Sequence, residues 1–293
     1  MQIGLNLPVV HPDTTPGLLR DISRRAEDLG FAELWLGEHV VLFDDLVDAY
    51  PGSDDGDMAF PTTLPIPDPL VGHTFVAACT ERVRLGTGVL LLPQRNPVYT
   101  AKHVATLDWC SGGRLDLGIG IGWSSQEFAA LGVPFEARGA RCDEYVEVMK
   151  TLWCDEVSSH EGPMYTLAAC RQYPKPVQEP HPPLWFGGWS DAAMARVARL
   201  GSGWYGFDLL PDAIAERLGY LGRLLEESGR SMAEISVASG AMLRAPKARR
   251  DLAAYEAVGV QQFVFSLSSA RTEDMADELV ALARQFVDPA EAA

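Results

Sequence analysis

Much of what would assign a function at a glance is missing from this chain. Cysteine is scarce: Cys79, Cys110, Cys142, Cys154 and Cys170 form an odd set without a C-x-x-C pair. That argues against a disulfide framework and suits buried free thiols in a reducing cytosol. Positive charge is scarce as well, with 24 Lys and Arg against 40 Asp and Glu and a net charge of −16. Nucleic acid and anionic membrane are therefore poor partners. No apolar run reaches membrane-spanning length, and Met1-Gln2-Ile3-Gly4-Leu5 lacks a basic leader, so a cytoplasmic protein is expected. The histidines show no metal spacing, and neither a G-x-S-x-G elbow nor a P-loop occurs; no metal site is expected.

What the chain does have is alternation. Its 293 residues are 47% hydrophobic and 22% charged, enough to bury a large core without staples. Strands are predicted at Gln2–Leu7, Phe31–Leu36, Val83–Leu92, Leu115–Ile121, Pro183–Phe186, Gly203–Phe207, Ile235–Ser239 and Gln262–Leu267. A helix follows each: Pro16–Leu29, Asp68–Cys79, Val98–Cys110, Arg138–Trp153, Ser190–Leu200, Asp212–Ser228, Arg249–Val258 and Glu273–Phe286. Thr15 caps the first helix, Pro16 opens it and Gly30 ends it. Eight strand–helix pairs predict one α/β domain over residues 1–293, a (β/α)8 TIM barrel. Two insertions interrupt it, after strands two and four. Val40–Pro67, rich in aspartate and proline, has the length of a lid or binding loop. Cys154–Pro182 reads as a small hairpin at Val157–Tyr165 followed by loop.

Glycines gather where strands three, four and five end. Gly118-x-Gly120-x-Gly122 resembles a dinucleotide fingerprint but lacks the third glycine at the required place, held by Trp123 and Ser125. Gly118, inside the strand, reads as clearance for neighbours; Gly120 and Gly122-Trp123, toward its carboxyl end, read as ligand contacts. Gly86-Thr87-Gly88-Val89 suggests a bulge of backbone able to press on a planar ring. Gly187-Gly188-Trp189-Ser190 leads from strand to helix, so its free amides suit a phosphate; an ordinary turn capped by Ser190 is the plain alternative. Glu38-His39 ends strand two at the face where barrels keep their chemistry, with His39 as proton carrier and Glu38 beside it. Trp35, Trp123, Trp189, Trp204 and Phe207 suit a flat ligand.

These segments resemble the bacterial-luciferase-like flavin and deazaflavin oxidoreductases over nearly the whole length. The matching pieces are W-L-G-E-H (Trp35–His39), R-L-G-T-G-V-L-L-L-P-Q-R-N-P (Arg84–Pro97), G-G-R-L-D-L-G-I-G-I-G-W (Gly112–Trp123) and P-L-W-F-G-G-W-S (Pro183–Ser190). The wording is similar to the branch that uses coenzyme F420. The resemblance implies hydride transfer between that deazaflavin and an organic substrate at the barrel mouth. It implies a cis peptide at Gly88-Val89 behind the ring, with Gly122-Trp123 and Gly187–Ser190 holding the ribityl and phosphate portion. Asn6 lines the floor in this reading, and His39 sits over the reacting face. Sugar-phosphate dehydrogenases of the family carry a glutamate where Trp123 stands here, with Glu127 a nearby candidate acid. Together with the apolar loop residues Met58, Phe60, Leu64 and Ile66, this favours a hydrophobic substrate. Alternatives are an FMN-dependent monooxygenase of the same fold and a non-catalytic flavin-binding protein with a blocked mouth. The resemblance also implies a homodimer through helices two and three.

Overall fold

Eight parallel staves close into a barrel in the computed structural model, which describes residues 1–51, 53, 56, 57, 60–240, 251–269 and 271–287. Strand β1 (Gln2–Asn6) lies between β2 (Glu33–Leu36) and the last strand, β11 (Gln262–Ser266). Beyond β11 come β10 (Ser236–Gly240), β9 (Gly203–Phe207), β8 (Leu184–Gly187) and β5 (Leu115–Gly120). A broken stave completes the circle: β3 (Arg84–Thr87) and β4 (Leu90–Leu91) join β2 to β5. This is the (β/α)8 barrel that the alternation predicts. The stave expected over Val83–Leu92 is broken where a bulge was expected, and the cis peptide implied by the resemblance is present there, between Gly88 and Val89. Leu92–Gln94 turns as a 3-10 helix.

The outer helices begin by one device used repeatedly. Thr15, Asp68 and Asn96 each cap a helix whose first residue is proline: α1 (Pro16–Asp28), α2 (Pro69–Ala77) and α3 (Pro97–Ser111). Proline loses nothing there, because first-turn amides have no intrahelical acceptor. Gly112, at φ +69°, ends α3 in the left-handed region that favours glycine. A short helix absent from the expectations, α4 (Ser125–Ala130), follows β5, and α5 (Arg138–Cys154) comes next. The hairpin consists of β6 (Ser158–Glu161) and β7 (Thr166–Cys170). Its second arm falls in the stretch expected as loop, because Gly162 and Pro163 occupy the turn. The remaining helices are α6 (Asp191–Leu200), α7 (Pro211–Glu227), α8 (Leu252–Ala257) and α9 (Thr272–Leu282). Arg249, where a helix was expected to start, and Met58 lie outside the described residues.

Two apolar regions hold the fold. The larger lies between sheet and helices, where Leu34, Leu36, Leu85 and Ile119 meet residues such as Ile22, Val104, Met149 and Val197. The smaller fills the barrel lumen with Trp35, Trp185, Tyr205, Ala238 and Val264. All five cysteines are free, yet only Cys142 is buried, which corrects the expectation of buried thiols. Burial pushes the Cys142 thiol up to about 12, whereas Cys110 and Cys154 are exposed. Among the described residues no helix is long and apolar enough to cross a membrane.

Candidate active site

Strand alternation turns Leu34 and Leu36 outward and Trp35 into the lumen. There Trp35 stacks on Tyr205 at 4.6 Å and 18° between planes, and Trp185 meets it edge-on at 6.0 Å. Neighbouring staves make room by having no side chain. A Cβ on Gly86 would lie 2.6 Å from the Trp35 ring, and one on Gly203 would lie 2.3 Å from Trp185. On Gly118 it would lie 1.9 Å from the Thr87 carbonyl oxygen, so its role is clearance. Above this aromatic plug a cavity of about 310 Å3 opens at the carboxyl ends of the staves, within the usual size of small-molecule sites.

Gly88 and Val89 form one wall of the cavity; Asn6 and Ser266, joined by a 3.0 Å bond from Asn6 Nδ2, lie at its floor. The Tyr205 hydroxyl opens there too. It is buried near Asn6 with no partner at good hydrogen-bond geometry among the described residues, and burial raises its pKa. Opposite stands His39, its ring packed against Trp123 at 6.1 Å and Phe60 at 6.3 Å. Its Nδ1 lies 3.4 Å from Oε1 of Glu127, a carboxylate only 1% exposed. Glu127 Oε1 also accepts the Val40 N–H at 3.0 Å, while Oε2 is buried with no partner.

The long loop after β2 is docked rather than free. Val47 N–H donates to Gln126 Oε1, Gln126 Nε2 donates to the Asp45 carbonyl, and Ser125 donates to Asp48 from both N–H and Oγ. Three successive residues of α4 thus grip the loop. Tyr50 comes down beside Trp123 at 5.4 Å and Phe60 at 6.0 Å, roofing the cavity with aromatic rings.

A family model described as luciferase-like monooxygenase matches residues 1–286. The chain belongs to that family. Within it, an uncharacterized protein of Mycobacterium tuberculosis (strain ATCC 25618 / H37Rv) is 33% identical over 205 residues, 70% of this chain and 71% of the relative. An F420-dependent glucose-6-phosphate dehydrogenase of Kineococcus radiotolerans is 33% identical over 229 residues, 75% of this chain and 61% of that protein. Among solved structures, monooxygenase RslO1 from Streptomyces bottropensis superposes with a TM-score of 0.78 at 23% identity, covering 99% of this chain and 100% of the other.

In this luciferase-like barrel most of the residues singled out by sequence meet at one mouth. Asn6, His39, Gly88, Val89 and Trp123 line the cavity, with Gly187, Gly188 and Trp189 across from them. Glu38 reaches the wall but is occupied: Oε2 accepts the Leu91 N–H at 2.5 Å and Oε1 bonds Arg95. Burial raises its pKa despite that arginine. Four others stand behind the lining. Thr87 Oγ donates to the Gly118 carbonyl at 2.7 Å, tying two staves. A Cβ on Gly120 would meet Val89 at 2.4 Å, and Gly122, at φ +78°, packs under Phe128. Ser190 caps α6, accepting the Ala193 N–H at 3.2 Å. Tyr50 and Tyr205 were not foreseen as site residues, and Glu127 was foreseen only as a nearby candidate acid. For Glu127 a signal existed: Ser124-Ser125-Gln126-Glu127 spells a capping box. Only half of it forms. Ser124 accepts the Glu127 N–H at 3.3 Å, while the carboxylate turns to His39 and Val40.

The mouth fits a three-ring cofactor on its own geometry. Gly88-Val89 offers a side-chain-poor ledge, and Gly188, at φ +90°, leads into α6 with first-turn amides beyond those Ser190 satisfies. Trp204 Nε1 donates to the Gly188 carbonyl at 2.8 Å and holds that turn in place. Among the described residues no group of three or more His, Cys, Asp or Glu could hold a metal.

Proposed function

We propose that this protein is an oxidoreductase that passes a hydride between coenzyme F420 and an uncharged, apolar organic substrate. The observation that carries the reading is one chamber in which the Gly88-Val89 ledge faces His39 beneath an aromatic roof. A bound deazaflavin supplies the two-electron chemistry. The chain's own residues do the rest. Gly88 and Val89 back the ring, and Gly187, Gly188, Trp189 and the start of α6 receive the phosphate. Tyr50, Phe60 and Trp123 exclude water, and His39 holds or delivers the proton. Among the described lining residues there is no lysine or arginine, and Trp123 fills the place of the glutamate in sugar-phosphate dehydrogenases. Both favour a neutral apolar substrate over a phosphorylated one. A homodimer through α2 and α3 belongs to the same proposal, since Val71, Tyr99 and Trp109 stand exposed there.

The runner-up is a monooxygenase using reduced FMN and oxygen, favoured by the family's own description and by the Streptomyces neighbour. A non-catalytic flavin carrier calls for a blocked mouth, and the open cavity weighs against it. Fluorescence titration of the purified chain with coenzyme F420 and with FMN decides between the first two. Affinity at least tenfold higher for F420 is expected; a preference for FMN overturns the proposal.

A further inference from the structure

Glu127 is buried, and its one charged or chargeable partner among the described contacts is His39. Its two carboxylate oxygens are used unequally: Oε1 serves both His39 Nδ1 and the Val40 N–H, and Oε2 serves nothing. Buried carboxylates without such a purpose are costly. The geometry points to Glu127 as the positioning residue of His39. Its Oε1 accepts the proton of Nδ1, which fixes the tautomer that keeps a lone pair on Nε2, the other nitrogen of a ring that lines the cavity. At 3.4 Å the contact is longer than a settled N–H···O bond, as catalytic hydrogen bonds often are before the ligand arrives. When Nε2 takes a proton, the charge that develops on the ring is met by the carboxylate behind it.

A second observation supports the assignment independently. Glu127 gives up the return arm of its own capping box, so helix geometry alone does not explain where the carboxylate points. Ser125 and Gln126 clamp the lid at Asp48 and Val47, while Glu127 clamps its root at Val40. The orientation of His39 and the docking of the lid are therefore set by one turn of α4. This rests on the reading of the cavity as a hydride-transfer site with His39 as proton carrier.

Nitrogen-15 NMR of the histidine-labelled, coenzyme-free full chain tests it. Above the titration range of the ring, wild-type His39 is expected with Nδ1 protonated and Nε2 bare. Glu127→Met is expected to shift the ring toward the Nε2–H form that free imidazole prefers. A wild-type ring protonated on Nε2, or an unchanged tautomer in Glu127→Met, overturns the inference. Glu127→Gln keeps an acceptor for Val40 and guards against loss of fold. In it, ethoxyformylation of His39 by diethyl pyrocarbonate, followed by peptide mapping, should slow at least threefold; an unchanged rate counts against the carboxylate. Coenzyme titration of the wild type separates the two failures. If neither F420 nor FMN binds, the hydride-transfer reading falls, whereas the tautomer result stands or falls by itself.

Discussion

At the amino ends of the staves, Arg84 donates to Asp116 at 2.5 and 2.7 Å and reaches Gln178, while Gln262 donates to Glu33. At the carboxyl ends, Glu127 Oε2 and the Tyr205 hydroxyl are buried with no partner at good hydrogen-bond geometry among the described residues. Both ends bury charge and both leave an orphan carboxylate oxygen, Glu33 Oε1 below and Glu127 Oε2 above, but only the upper end opens a cavity. Below, cations and amides are consumed in tying β2, β3, β5 and β11 together. Above, hydrogen-bonding capacity is left over beside a cavity. A barrel enzyme can afford the second only because the first secures the frame, which accords with chemistry at one face and stability at the other.

That contrast can be broken most sharply through the lumen glycines. Gly118→Ala puts a methyl against the Thr87 carbonyl and should cost about 3 kcal/mol or more, seen as a collapsed urea midpoint. Next comes Arg84→Met, which strands the buried Asp116. With the arginine side chain 39% exposed, water replaces it in part, and the cost should be about 1.5–3 kcal/mol; a loss below about 1 kcal/mol would mean the lower network holds little. At the mouth the pattern should invert. His39→Ala should keep its melting temperature and coenzyme affinity while turnover falls by about 10²–10⁴; normal turnover would make His39 structural.

Glu33 gives a prediction with a pH sign. Burial first, then the Asp116 charge, raises its carboxyl well above 4.5. The folded chain thus keeps a proton that the unfolded chain releases, so this group's contribution to stability falls as pH rises above 4.5. Glu33→Gln should flatten that slope and leave the protein more stable than wild type at alkaline pH; denaturation at several pH values checks it. Smallest is Tyr205→Phe. Its hydroxyl has no partner at good hydrogen-bond geometry to lose, so stability should shift by less than about 1 kcal/mol, and any larger drop in coenzyme affinity would report a contact made by the bound ligand.

The barrel was legible because the staves and helices carry their own local signals: a short apolar run at Phe31–Leu36, capped prolines at Thr15, Asp68 and Asn96, and stop glycines at Gly30 and Gly112. The glycine-rich strand ends pointed to the mouth where the cavity opens for the same reason. Less local features were hidden. Nothing in the run Val83–Leu92 sets its break after Gly88 apart from a plain bulge; that came from the family wording. Gly120 reads as a ligand contact until Val89 is seen filling its Cβ position. Glu127 looks like a helix cap until the loop root, 87 residues away in sequence, comes within reach of its carboxylate.

The stacked rings of Trp35 and Tyr205, with Trp185 edge-on to Trp35, plug the lumen below the cavity. A ligand reaching the cavity would therefore come by the rim beneath Tyr50 and Phe60 rather than up through the lumen.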